Sequence, residues 1–320
     1  MKSYNLVLVA RASAGLDREQ LGAIANRINA TERDVQATVV GRRTLEHLRL
    51  LKLWNRPTLV VSFLWIKRRG LLPGRIAKGA PLGKDREYQR FREVGIPVPD
   101  WIVIEPDTVL DAQTWGPYVV EKPAMGFRGA NIRVRRTTKL RYRDPAVLPQ
   151  KHFGRKGPML AQRLVYTGQW PTSYRVHTLF GEVLLCYRQV TNTRGNPLNH
   201  RWDFGGGGVT IVSNTMDMKI ELVVDQEVIA LSEKAHRSAF PGVPALAFDI
   251  VRDVESGELF VLESHPQGHW ILNTSGQQIE AAAGVDFAAQ FKTVNKAAKV
   301  LARETRLRAE ANSPFAPHRG

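Results

Sequence analysis

Three scarcities bound what this chain can be. Cysteine is nearly missing: Cys186 stands alone among 320 residues, so neither an intramolecular disulfide nor a cysteine-ligated zinc site can form. Its apolar setting, Val183 to Tyr187, predicts a core strand, and such cysteine usage fits a reducing cytoplasm. Long apolar runs are also missing. The richest stretch, Leu53 to Ile66, is interrupted by Asn55, Arg56 and Pro57 and falls short of the roughly 20 residues a membrane helix needs, so no membrane association is expected. The start, Met1 to Ala10, is too short in its apolar part and too soon followed by Arg11 for a signal peptide, and reads as a buried first strand. Acidic residues are the third scarcity, 30 Asp and Glu against 46 Lys and Arg, a net charge of +16. The excess is local. Residues 41–80 hold ten Lys and Arg against Glu46 alone, and residues 121–160 hold eleven against Glu121 and Asp144. Such stretches attract phosphate, acidic substrates or an acidic partner; the plain alternative is a solvated basic face. No nucleic-acid reading element is recognisable, so nucleic acid is not an expected partner.

What is present is ordinary globular composition, 43% apolar, at a length that predicts two or three domains. Asn5 to Val9 reads as a strand, Ser13 to Gly15 as a turn, and a helix from Asp17 carries Leu21, Ile24 and Ile28 on one face. Strands Val35 to Val40 and Leu59 to Phe63 complete a small α/β unit. Lys67 to Gly83 reads as a Gly/Pro/basic linker and sets the first domain boundary. Lys84 to Val94 is a helix with Tyr88, Phe91 and Val94 on one face, stopped by Gly95 and Pro97. The pattern then becomes β: Tyr118 to Lys122, Asn131 to Arg135, Met159 to Val165, and the hairpin of Tyr174 to Phe180 with Val183 to Val190. Beyond the glycine run Gly205 to Gly208 come a helix from Asp225 to Phe240 and a second hairpin, Leu246 to Arg252 with Leu259 to Glu263. A last helix runs from Asp286 to Arg306, with a frayed tail after it. The expected division is 1–80 as an N-terminal α/β domain with its linker, 81–157 and 158–306 as two α+β lobes, and 307–320 as tail.

Four constellations could carry chemistry. Asp249 and Glu263 both lie seven residues from Ser256, so a symmetric hairpin sets them opposite one another, and His265, two residues on, shares their face. Opposed carboxylates suit a divalent ion such as Mg²⁺ or Mn²⁺, or one of them pairs with an arginine. Lys122 ends an apolar strand before a loop with Gly126 and Gly129, where backbone N–H groups could close on phosphate; a plain hairpin turn explains those glycines equally. Arg175 and Arg188 sit on two joined strands, where guanidinium forks suit carboxylate or acyl-phosphate oxygens or simply decorate a surface. Lys84 opens its helix, either as an exposed residue or as a further point charge.

In this order, Gly83-Lys84 with Gly95-Ile96-Pro97, then Val119-Val120-Glu121-Lys122-Pro123, Gln162 to Val165, Tyr174-Arg175-Val176, Phe248-Asp249-Ile250 and Leu262-Glu263, the chain from Gly83 to Leu301 resembles the ATP-grasp superfamily, in the style of glutathione synthetases and glutamate ligases. The resemblance implies a short N-terminal α/β domain followed by two ATP-grasp lobes holding ATP between them. It assigns Lys84 and Lys122 to phosphate, Gly126 to Gly129 to the lid, and Gln162, Arg163, Leu164 and Val165 to the adenine-contacting strand. It assigns Asp249 and Glu263 to the metal, and Arg175 and Arg188 to a phosphorylated intermediate. His265 stands where the family has a third metal ligand, an asparagine. The implied activity is a ligase that joins a small-molecule or peptide carboxylate to an amine through an acyl phosphate, with substrate groups on loops such as Thr191 to Phe204. The alternative is a non-catalytic nucleotide-binding module that docks an acidic partner.

Overall fold

The computed structural model describes residues 3–10, 16–41, 56–66, 74–80, 82–126, 129–192, 217–265 and 274–310. The expected turn at Ser13 to Gly15, the glycine run at 205–208 and most of the loop 191–204 lie outside the described residues.

The first unit is a parallel sheet of order β2-β1-β3-β4, formed by β1 (Tyr4–Val9), β2 (Val35–Val40), β3 (Thr58–Ser62) and β4 (Arg75–Lys78), with helix α1 (Leu16–Thr31) between the first two strands. Leu6, Leu8, Leu59 and Val61 alternate onto one face and bury against Leu21, Ile24 and Ile28 of α1. β4 falls inside the stretch expected to be linker. Gly74 lets the chain turn into it with φ 75°, where a Cβ would stand 2.1 Å from the Thr58 carbonyl oxygen; only glycine fits this approach.

Helix α2 (Lys84–Glu93) leads into the second unit. β5 (Trp101–Val103), α3 (Ala112–Trp115), β6 (Tyr118–Pro123), β7 (Arg133–Arg136) and β8 (Met159–Arg163) build a four-stranded sheet of order β5-β8-β6-β7. The third unit is an antiparallel sheet of order β11-β10-β9-β12-β13, from β9 (Thr172–Leu179), β10 (Glu182–Thr191), β11 (Met218–Leu222), β12 (Ala245–Arg252) and β13 (Leu259–Ser264). Helix α4 (Gln226–Ala239), capped by Asp225, packs on this sheet, and α5 (Thr274–Ala283), α6 (Phe287–Gln290) and α7 (Thr293–Ala309) follow. The helix expected from Asp286 is thus broken at Lys292, whose φ is 51°, and it runs through Ala309 where fraying was expected.

Helix α7 buries Ala297, Leu301 and Ala302 in the core of the N-terminal sheet, and Arg306 clamps Asp34 and Glu32 at 2.6 Å. The C-terminal helix therefore belongs physically to the first unit as well as the third. Among the described residues, no helix is long and apolar enough to cross a membrane.

One buried histidine ties α4 to the large sheet. His236 is fully buried, with Nδ1 2.7 Å from Thr178 Oγ1 and Nε2 2.8 Å from the Val243 carbonyl oxygen. Burial pushes its pKa down to about 4, only partly offset by the Val243 carbonyl. The unfolded chain takes up this proton near pH 6.5 and the folded chain near 4, so the contribution is intact above 6.5 and is lost as pH falls between them. The loss is on the order of 3 kcal/mol. Urea midpoints at pH 7 and 4.5 should differ more for the native chain than for His236→Gln, and equal differences would remove this histidine from the account.

Candidate active site

The site forms where α2, β6 and the β12–β13 hairpin meet. The amide of Lys84 donates to the Ala124 carbonyl, 2.9 Å away and just past the end of β6, which brings the first turn of α2 beside Lys122. Lys122 is 5% exposed, and its Nζ donates to Tyr88 Oη at 2.5 Å. Burial outweighs the nearby charges of Glu263 and Glu87 and pulls its pKa down to about 8. Lys84 Nζ stands 2.8 Å from Glu263 Oε2. Burial works against this ammonium too, but the charge and hydrogen bond of Glu263 prevail and raise its pKa.

Asp249 and Glu263 stand opposite one another, as their spacing predicts, though the hairpin is not symmetric about Ser256. Near the turn the register runs Arg252 with Leu259 and Ile250 with Val261; one extra residue, Leu262, then shifts it so that Asp249 faces Glu263. Arg175 on β9 pairs with Asp249 in register and grips it with both arms of its fork, at 2.5 and 2.7 Å. His265 Nε2 lies 3.4 Å from Asp249 Oδ2 and 3.5 Å from Glu263 Oε1. Burial disfavours the Asp249 carboxylate, yet Arg175 and His265 hold it well below the usual carboxylate range. For His265 burial opposes the charged ring, but Asp249 and Glu263 prevail and raise its pKa.

Not every expected residue converges here. Arg188 pairs in register with Tyr174 and Glu221, whereas Arg175 pairs with Tyr187 and Asp249. Neighbours along a strand point to opposite faces, so the two arginines lie on opposite sides of the sheet, and Arg188 instead binds Glu221, with Nε 3.1 Å from Oε2. Arg188 therefore does not share the face on which Arg175 meets Asp249. Gln162 pairs with Val120, two residues from Lys122, and so shares the face of that lysine. Its side chain is buried beside the Tyr88 hydroxyl and interacts with it. Arg163 turns to the other face, where Nη1 is 3.6 Å from Asp100 Oδ2. Leu164 packs with Tyr118 and Val120 of the small lobe, while Val165 packs with Val251 and Phe260 of the large one, so these two residues are the crossing between lobes. Gly126 and Gly129 flank the β6–β7 connection, Gly129 with φ 68°; Phe127 and Arg128 between them lie outside the described residues.

Two functional candidates escaped the sequence reading. Glu87 is 2% exposed and accepts the Ser264 amide, between Glu263 and His265. Burial lifts its pKa to about 7. Tyr88 donates to the carbonyl of the bulged Leu262 while accepting from Lys122. Adjacent residues of α2 thus hold the bulge that aligns the carboxylates. The available signal was Glu87 itself, a carboxylate three residues from Lys84 on the helix face that also carries Tyr88 and Phe91.

A parallel-sheet unit, a four-stranded lobe and a five-stranded lobe give this chain the ATP-grasp fold, shared over nearly its whole length with solved ATP-grasp ligases. Its structure is similar to a RiPP-associated ATP-grasp ligase of Chryseobacterium gregarium solved with ADP and a leader and core peptide. The TM-score is 0.52 at 12% identity, over 95% of this chain and 97% of that one. It is also similar to the ATP-grasp ligase PsnB complexed with minimal precursor, with TM-score 0.51 and 15% identity over 95% and 100% of the two chains. A third is the D-cycloserine synthetase DcsG, with TM-score 0.50 and 14% identity over 94% and 99%. No family model and no curated protein matches the sequence.

Proposed function

We propose that this chain is an ATP- and divalent-metal-dependent ligase that joins a carboxylate, from a small acid or a peptide, to an amine. The observation that carries the reading is the Lys84–Glu263 contact at 2.8 Å, which sets a phosphate-type lysine against a metal-type carboxylate. One feature of the pocket fits a nucleotide: a desolvated ammonium, Lys122, whose hydrogen-bond partner is neutral. Lys84 and Lys122 would neutralise phosphate oxygens. Gln162 would line the nucleotide pocket on the face of Lys122.

Asp249, Glu263 and His265 fit a divalent cation, since each offers a ligand atom and these atoms lie within 4.8 Å of one another. Bound there, the ion would supply charge neutralisation at the phosphates. Arg175 orients Asp249, and its half-buried guanidinium would steady phosphoryl charge developing at this cluster. In the proposed sequence a substrate carboxylate oxygen attacks the γ-phosphate and ADP leaves. The amine then displaces phosphate from the acyl carbon and forms the amide. The non-catalytic alternative draws on a different observation: Asp249 and Glu263 are already neutralised by Arg175 and Lys84. Incubation with ATP, Mg²⁺ or Mn²⁺ and pooled carboxylates and amines tests the reading by mass spectrometry. ADP coupled to an amide product is expected, and no nucleotide turnover with either ion would favour the binding module.

His265 sets the metal preference. Nitrogen ligation tilts a site away from the hardest cations, so turnover should favour Mn²⁺ over Mg²⁺ and His265→Asn should shift it toward Mg²⁺. The raised pKa means the free ring holds its proton above pH 6.5, so binding the ion must expel it and affinity should rise with pH. An unchanged preference and pH profile in His265→Asn would exclude it as a ligand.

A further inference from the structure

The second basic stretch lines an open recess of about 250 Å³ beside the four-stranded sheet. Its charged lining is Arg133, Arg141, Arg143 and Arg155, against two carboxylates, Glu105 and Glu121. Glu121 is already bound by Arg135 from β7, so it offsets little of the surplus. Lys122, next along β6, points to the opposite face, so the sheet itself separates this recess from the nucleotide lysines.

Two of the guanidiniums are held in place without being neutralised. Arg141 donates to the Thr138 and Leu140 carbonyls at 3.0 and 2.6 Å, and Arg155 to those of Ala146 and Leu148 at 3.2 and 2.8 Å. A carbonyl fixes a guanidinium but brings no full negative charge. Arg133 and Arg143 form no ion pair among the described residues. Arginine forks converging on one recess, two of them fixed by carbonyls, are suited to an oxyanion. The space is enough for a phosphate or carboxylate group with a few carbons.

We propose that this recess is a second ligand site, which binds a small molecule bearing a phosphate or carboxylate group on the face of the small lobe remote from the nucleotide. The site does not depend on the ligase reading. It is tested by calorimetric titration of the intact protein with inorganic phosphate, pyrophosphate and citrate at about 0.15 M chloride, a salt level that screens nonspecific attraction. At least one probe should bind saturably. Phosphate or pyrophosphate binding would assign the phosphate class, and citrate alone the carboxylate class. Arg133→Ala with Arg143→Ala removes exposed side chains, so the fold should persist while affinity falls about tenfold or more. Binding should survive Lys122→Ala. Three results would overturn the proposal: no saturable binding of any probe, equal binding by the double variant, or loss of binding in Lys122→Ala, which would place the anion in the nucleotide cleft.

Discussion

Lys122→Ala is expected to weaken ATP binding by a factor on the order of 100 or more while leaving the protein folded. The ammonium is buried, its hydrogen-bond partner Tyr88 is neutral, and burial has lowered its pKa to about 8. An ammonium stripped of water and given no carboxylate at bonding distance is held at a cost that a phosphate oxygen would offset. Removing such a charge from a desolvated ionic contact costs about 2 to 5 kcal/mol, a factor of roughly 30 to 5,000 in affinity. The native chain carries a second signature. Above pH 8 the free amine increasingly lacks its proton, so ATP affinity should decline there, and Lys122→Arg should abolish that decline because arginine stays charged. Tyr88→Phe removes the neutral partner but not the charge, so it should alter affinity far less than Lys122→Ala. Calorimetry on the folded variants decides: ATP affinity unchanged in Lys122→Ala would remove β6 and the Gly126 to Gly129 connection from the nucleotide site.

Much of this site is legible in sequence because its parts are local. A lysine at a strand end and carboxylates equidistant from a turn need only the period of a strand to be placed. Yet even the carboxylate pair depends on something the spacing does not show. Without the bulge at Leu262, Asp249 would face Leu262 rather than Glu263, and what keeps the bulge is α2, whose Glu87 and Tyr88 bind the backbone on either side of Glu263. That contact spans 177 residues of sequence, from Glu87 to Ser264, and leaves no local trace. Arg188 fails for the converse reason. It stands near Arg175 by chain order, but strand pairing places it opposite Tyr174, and the alternation of side chains then puts it on the wrong face. Long-range docking hid the rest: β4 is short and lies within basic, glycine-rich sequence, and nothing in the α7 sequence says that its apolar face closes the core of the first unit.

Asp249→Ala should be among the most damaging substitutions to stability, and the reason is Arg175 rather than the metal. The two form a bidentate pair inside the large lobe, at 2.5 and 2.7 Å, with each side chain 16% exposed. Deleting the carboxylate leaves a guanidinium that cannot shed its proton and has lost its counter-charge, a situation that costs roughly 3 to 5 kcal/mol. The penalty belongs to the unpaired charge, so Asp249→Leu combined with Arg175→Met should recover most of the lost stability even though both polar partners are gone. Asp249→Asn should fall between them, since it keeps an acceptor for the fork but not the charge. Stability and chemistry then separate. All three variants should lose divalent-dependent ATP turnover, because none presents a carboxylate at this position, while their urea midpoints should rank with the double variant and Asn above Ala. The pair also predicts behaviour in acid. The carboxyl is held below its ordinary range, so its contribution is complete above about pH 4 and fades only as pH falls toward the depressed folded value, below the window in which His236 weakens the fold. An Asp249→Ala protein as stable as the native chain, or a double variant no more stable than Asp249→Ala, would show that Arg175 finds another counter-charge and that the carboxylate at this position is free to serve the metal alone.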